Sequence, residues 1–224
     1  MTSQRFKMTL EMAIVAICLI VIILLPMIGV AIAFVVMTTF ILLSQERLSK
    51  IKELGFKKPS NLWKTILTTI SLALLIQLSF LIIFDPLIES VTSSQLDLSG
   101  VEHVKGNLTN FFIMLGVGWI IGGFLEEILF RGFLLNRISN IFKSRALGDV
   151  IAILMTCGSF GYSHLYQGLS GMISTGLISA IIAFIYIFSN RNIWYAILTH
   201  GFINTFAFII IYFDYIEWLN SLLF

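Results

Sequence analysis

The stretch 107-NLTNFFIMLGVGWIIGGFLEEILFRGFL-134 decides how this chain is read. It is long and apolar enough to cross a bilayer, yet it carries Glu126, Glu127 and Arg131. A charged side chain at the centre of a membrane helix costs roughly 2.5–3.5 kcal/mol on insertion scales. Three ionisable groups in one such segment point to chemistry. Glu127 and Arg131 are four residues apart, so they share a helix face and can pair. Glu126 lies about 100° further round an α-helix and is not satisfied by that contact. Gly118-x-x-x-Gly122, with Gly116 and Gly123 beside it, predicts close helix packing around the acidic pair.

Two more polar signatures lie downstream in apolar surroundings, Phe160-x-x-x-His164 and His200-x-x-x-Asn204. Each pair shares one helix face at the i, i+4 spacing. The chain has three histidines, and two of them fall in these signatures. The third, His103, sits in a polar loop and reads as a bystander.

The whole chain has the same character as the opening stretch. It is 58% hydrophobic and 12% charged, with a mean hydropathy of +0.98. Soluble domains carry about 25% charge. The composition predicts an all-α, polytopic transmembrane bundle in which one integral domain fills the length. Cys18 and Cys157 both fall in apolar segments and read as buried free thiols. The first apolar run is longer than a signal-peptide core and lacks a small-residue cleavage site. No phosphate-cradling glycine loop is present, and no basic, aromatic surface suited to nucleic acid.

Residues 8–44 are almost continuously apolar. As one helix they would reach about 55 Å, too long for a hydrocarbon core of about 30 Å. Pro26 and Gly29 divide the run, which predicts spans over 8–25 and 28–44, with one long kinked helix as the alternative. Further spans are expected at 63–84, 107–134, 148–165, 170–188 and 193–213, seven in all. With the N-terminus inside, Arg5, Lys7, Arg47, Lys50, Lys52, Lys57, Lys58, Lys64, Arg131, Arg137, Lys143, Arg145 and Arg191 fall in or near cytoplasmic segments. Only Lys105 falls outside, in an 85–106 loop that carries Asp85, Glu89, Asp97 and Glu102. Asp214 and Glu217 fit an external C-terminal end. The basic stretch 46–64 reads as a juxtamembrane segment on anionic lipid or as a plain topology determinant. The expected organisation is therefore N-terminal helices over 1–106, a catalytic helical core over 107–213 and a tail over 214–224.

A carboxylate and an imidazole converging on one water make a general base. An imidazole and an amide together can donate to a developing oxyanion. Those parts suffice to hydrolyse a peptide bond, and neither a Gly-x-Ser-x-Gly elbow nor a His-Glu-x-x-His helix is present to offer another route. The set and order Glu-Glu-x-x-x-Arg, Phe-x-x-x-His, His-x-x-x-Asn resembles the CPBP family. Its members are intramembrane proteases similar to CAAX prenyl protease 2, bacteriocin-processing or self-immunity proteins, and abortive-infection (Abi) proteins. The resemblance covers about residues 110–210. It implies that Glu126 is a catalytic glutamate activating water with His164, and that His200 and Asn204 stabilise the oxyanion. Glu127, Arg131 and Phe160 then support them. A zinc site from Glu126, His164 and His200 with a water is the second-ranked version of the same protease. The implied partners are a peptide or membrane-protein substrate and the lipid bilayer, with no nucleic acid. Substrate identity and oligomeric state are not legible. The short chain resembles the bacterial type. The competing class is a membrane transporter or bacteriocin-immunity protein with a buried polar cluster.

Depth poses one difficulty. Counted from the cytoplasmic ends, Glu126 is expected about 16 Å deep, His200 about 12 Å and His164 about 25 Å. Convergence calls for the His164 helix to begin nearer 152, or to bend at Gly158 and Gly161.

Overall fold

In lipid every backbone amide must be satisfied within the protein, which leaves helices as the way for an apolar chain of this kind to span. The computed structural model, which describes residues 2–26 and 28–214, is accordingly all-helical, without strands among those residues. Of the expected tail, residues 215–224, including Glu217, lie outside the described residues.

Eight principal helices follow in order. They are α1 (Thr2–Leu24), α2 (Gly29–Leu43), α3 (Arg47–Glu53), α4 (Leu62–Thr92), α5 (Leu108–Ser139), α6 (Arg145–Ser163), α7 (Gly168–Phe188) and α8 (Ile193–Tyr212). Short 3-10 turns at Ser99–Val104 and Leu165–Gln167 complete the connections. The loop-to-helix starts carry polar caps. The side chains of Asn61, Asn107, Ser144 and Asn192 accept the backbone N–H of Lys64, Asn110, Leu147 and Trp194. Each satisfies an amide that the first helical turn leaves open.

Residues 8–44 form two helices, as the Pro26 break predicts. They fold back on each other, and the Cys18 thiol reaches the Ala33 carbonyl at 3.6 Å. Cys18 and Cys157 are both buried and free. Six helices among the described residues are long and apolar enough to cross a membrane. The seventh expected span, α2, is a shorter apolar helix of 15 residues. At about 22 Å it falls short of the hydrocarbon core of about 30 Å.

Two boundaries differ from expectation. Asp85 and Glu89 do not lie in an external loop, because α4 continues through them to Thr92. The helix passes Pro86 just after a π-helical turn at Phe80–Phe84. A proline is tolerated where a new helical segment begins, since its missing N–H is not needed there. Asp85 finds a partner across the bundle in the Ser174 hydroxyl, 2.6 Å away. The other difference is α6, which begins at Arg145, earlier than anticipated.

The bundle has two chemically distinct ends. One gathers the start of α1, α3 with its flanking loops, the α5–α6 turn and the α7–α8 turn. It is tied by Lys7–Glu46 at 2.6 Å, Arg191–Asp149 at 2.5 Å, the pairs Lys50–Glu11 and Arg137–Glu53, and a 2.9 Å bond from Ile193 N–H to the Gly55 carbonyl. The stretch 46–64 thus locks onto the rest of this basic end. The opposite, acidic end gathers the α1–α2 turn, residues 93–107, the α6–α7 turn and the end of α8. Asp97 N–H bonds the Gln167 carbonyl and Gly106 N–H the Tyr212 carbonyl, each at 3.0 Å, and Lys105 pairs with Asp214.

Candidate active site

The segment of α5 that carries the acidic pair is not an ordinary α-helix. It winds as π-helix over Gly118–Glu126 and again over Ile128–Leu135. Such i→i+5 windings are rare and concentrate at functional sites. Below Glu126 the helix is closed off, for every residue from Glu127 to Ser139 is buried. Above it, towards the acidic end, Ile120, Ile121 and Phe124 are exposed.

Glu127 is 0% exposed and Arg131 1%. Their expected pairing is present, with the guanidinium donating to Glu127 Oε1 at 2.8 Å. The other guanidinium nitrogen donates to the carbonyl and hydroxyl of Ser179 on α7, at 2.7 and 2.8 Å. The same Glu127 oxygen also meets His200 Nδ1 at 2.7 Å. Glu127 therefore fixes the ring of His200 as well as the side chain of Arg131. With Nδ1 turned to Glu127, Nε2 is the nitrogen that faces the site.

Asn204 stands one turn along α8 from His200. Its amide donates to the Gly118 carbonyl at 2.9 Å. His200 and Asn204 come together over Gly122 of α5. A Cβ built there would lie 2.7 Å from Asn204 Nδ2 and 3.4 Å from His200 Nε2. The predicted small-residue packing is thus the contact between α5 and α8. Trp119 seals it from the side, donating to the Thr205 hydroxyl at 3.0 Å with its ring in the space a side chain on Gly201 would fill.

Phe160, 4% exposed, is the hub that joins the three signatures. Its ring centroid lies 4.7 Å from that of His164, 6.0 Å from that of His200 and 5.4 Å from the Arg131 guanidinium carbon. His164 caps the end of α6, where its Nδ1 lies 2.9 Å from the Phe160 carbonyl. A carbonyl only accepts, so Nδ1 carries the hydrogen and Nε2 is left as an acceptor. The Tyr166 ring also lies against the imidazole, tilted by 32° with centroids 5.7 Å apart.

Glu126 and His164 line one cavity of about 420 Å³, together with Ser163 and Tyr166, Ile121 and Leu125 of α5, and Pro26 and the first turns of α2. Glu126 is within electrostatic reach of His164, His200, Glu127 and Arg131. Glu126 and His164 line this cavity together although α6 starts early, at Arg145. Gly158 has open space around it, and Gly161 provides a close approach to α7, where a Cβ would meet the Met172 carbonyl at 2.5 Å. His103 lies in the 3-10 turn Ser99–Val104, where its backbone carbonyl accepts a hydrogen bond from the Asn110 amide at 2.7 Å.

The fit of a zinc ion can be judged from the donors. Among the described residues no three His, Cys, Asp or Glu side chains are grouped to hold a metal. Glu126, His164 and His200 as placed do not form that set, and no step is derived through a metal.

Four features had no counterpart in the sequence reading. They are the π-helical winding, the Glu127–His200 bond, the Ser179 anchor of Arg131 and the Tyr166 ring contact. Only Tyr166 left a trace, as an aromatic residue two positions after a motif histidine.

The chain thus folds as a polytopic helical bundle in which Glu126 and His164 line one cavity and His200 and Asn204 meet over Gly122. Residues 108–206 match the family model described as Rce1-like, type II CAAX prenyl endopeptidase. That stretch holds all three motifs, and it is similar to the family the motifs resemble. The family's activity is that of a CAAX-type intramembrane protease. Neither the curated proteins nor the solved structures contain a match to the chain.

Proposed function

We propose that this protein is an intramembrane endopeptidase in which Glu126 and His164 activate a water for attack on a peptide bond. The observation that carries the reading is their shared cavity, with Nε2 of His164 left as an acceptor by the Nδ1 bond to Phe160. One water can donate a hydrogen to the Glu126 carboxylate and a hydrogen bond to that nitrogen. As its oxygen attacks the carbonyl carbon, its proton passes to Glu126, which later returns it to the leaving amine. The developing oxyanion is met by His200 Nε2 and Asn204 Nδ2, which converge over Gly122. His200 donates there only when both ring nitrogens carry hydrogen, because Nδ1 is engaged with Glu127. The buried Glu127 carboxylate is the counter-charge that form requires.

The test is replacement of Glu126 by Gln, which keeps the shape of the side chain and removes the base. Membranes holding the variant should accumulate the uncleaved form of one or more peptides or membrane proteins that membranes with the native chain process. The variant should insert and purify normally. His164→Ala should give the same accumulation. Processing that continues unchanged in both variants would sink this reading.

A further inference from the structure

The two ends of the bundle and the closed half of α5 together fix the side from which the site is reached. Lys7, Arg47, Lys50, Lys52, Lys57, Lys58, Lys64, Arg137, Lys143, Arg145 and Arg191 all stand at or near the basic end, by the helix positions given above. Of the remaining cations whose side chains are described, Arg131 is buried within the bundle and Lys105 is at the other end, paired with Asp214. That other end carries Asp85, Glu89, Asp97, Glu102 and Asp214. Ser99 N–H and hydroxyl hold the Asp97 carboxyl below the usual carboxylate range, so this exposed group stays charged in mildly acidic surroundings. Membrane proteins keep Lys and Arg in short loops on the cytoplasmic side. The basic end is therefore the cytoplasmic one.

The cavity with Glu126 reaches the opposite end. Its wall includes Pro26 in the α1–α2 turn, and His164 and Tyr166 in the α6–α7 turn. Tyr166 is 52% exposed at its rim. Val35 and Ile121, both exposed, open it sideways towards lipid. Towards the basic end α5 itself is packed, with Glu127 to Ser139 all buried, and the groove of about 550 Å³ between α1 and α2 at that end, lined by Lys7, Glu11, Phe40 and Lys50, shares only Val35 with this cavity. Arg131, Arg137 and Asn136 there are tied to Ser179, Glu53 and Tyr186.

We propose that the site opens to the external face and outer leaflet, so that its substrate is a peptide segment presented on that side of the membrane. This rests on the protease reading for the word substrate, but the direction of opening stands on the fold and the charges alone. A peptide in the cytoplasm would face the packed half of α5 and would have to cross before it met Glu126. The chemical class implied is an exported peptide, or the external juxtamembrane segment of a membrane protein.

The experiment uses the full chain in cells, with Cys18 and Cys157 replaced by Ala, and a charged, membrane-impermeant methanethiosulfonate reagent as the probe. Glu126→Cys should react in intact cells and lose that reaction in inside-out vesicles. Tyr166→Cys should behave in the same way, and it reports on the rim if Glu126→Cys does not insert. Lys143→Cys should show the reverse pattern. Reaction at positions 126 and 166 only in inside-out vesicles, or at 126 from neither side in an inserted protein, would overturn the proposal. Failure of the protease reading is seen separately, as unchanged processing in Glu126→Gln membranes whatever the labelling shows.

Discussion

At the residue scale the most demanding position is Glu127, which holds the Arg131 guanidinium and the His200 imidazole on one oxygen in a fully buried setting. Its second oxygen is buried without a hydrogen-bond partner in the protein. Removing one member of a buried ion pair leaves an uncompensated charge and costs about 3–5 kcal/mol. Glu127→Gln is therefore expected to lower the melting temperature of the purified protein and also to slow processing, since His200 loses its orienting carboxylate. Glu126→Gln should slow processing without the drop in melting temperature. Equal thermal losses in the two variants would show that the adjacent carboxylates do not divide the work. The pairing of Glu127 with Arg131 was legible in the sequence from spacing alone, because Arg131 is four residues from Glu127 and five from Glu126. The bond from Glu127 to His200 was not legible. It joins residues 73 positions apart and depends on how far α8 is inserted against α5.

At the scale of elements the decisive contact is the approach of α8 to α5 over Gly122. A methyl group there would displace the Asn204 amide, which a Cβ would approach to 2.7 Å. Gly122→Ala is expected to cut turnover about ten- to a thousandfold, the scale of losing an oxyanion donor. In an Asn204→Ala background the same glycine change should add little, because the amide it displaces is already gone. Multiplying losses would mean that Gly122 acts on something other than Asn204. The helices themselves were largely readable from apolar run lengths, and the Pro26 break correctly divided the first run. Their ends were less readable. Asp85 and Pro86 look like a loop start in one dimension, yet Ser174 on α7 gives the carboxylate a partner and the preceding π-turn accommodates the proline. The great depth expected of His164 agrees with its place as the cap at the far end of α6, where Phe160 meets α5 and α8.

At the scale of the whole molecule the fold brings donors from α5, α6 and α8 to one place without gathering three metal-ligating side chains among the described residues. In the glutamate reading, purified protein should process its substrate undiminished in the presence of a strong chelator and should hold less than stoichiometric zinc on elemental analysis. Activity lost to the chelator and restored only by zinc would replace the proposed mechanism while keeping the protease. Seven apolar helices, their order and the clustering of cations at one end all followed from composition and charge pattern. Which half of α5 is packed and which is open did not, because the half that is buried is the more polar one, with Glu127, Arg131, Asn136 and Arg137, and polarity along a sequence ordinarily marks exposure. That asymmetry bears on permeability. A wet, charged site halfway through a bilayer is a short-circuit half completed, and a cell that stores energy as a proton gradient cannot tolerate the other half. The thirteen buried residues from Glu127 to Ser139 supply the insulation.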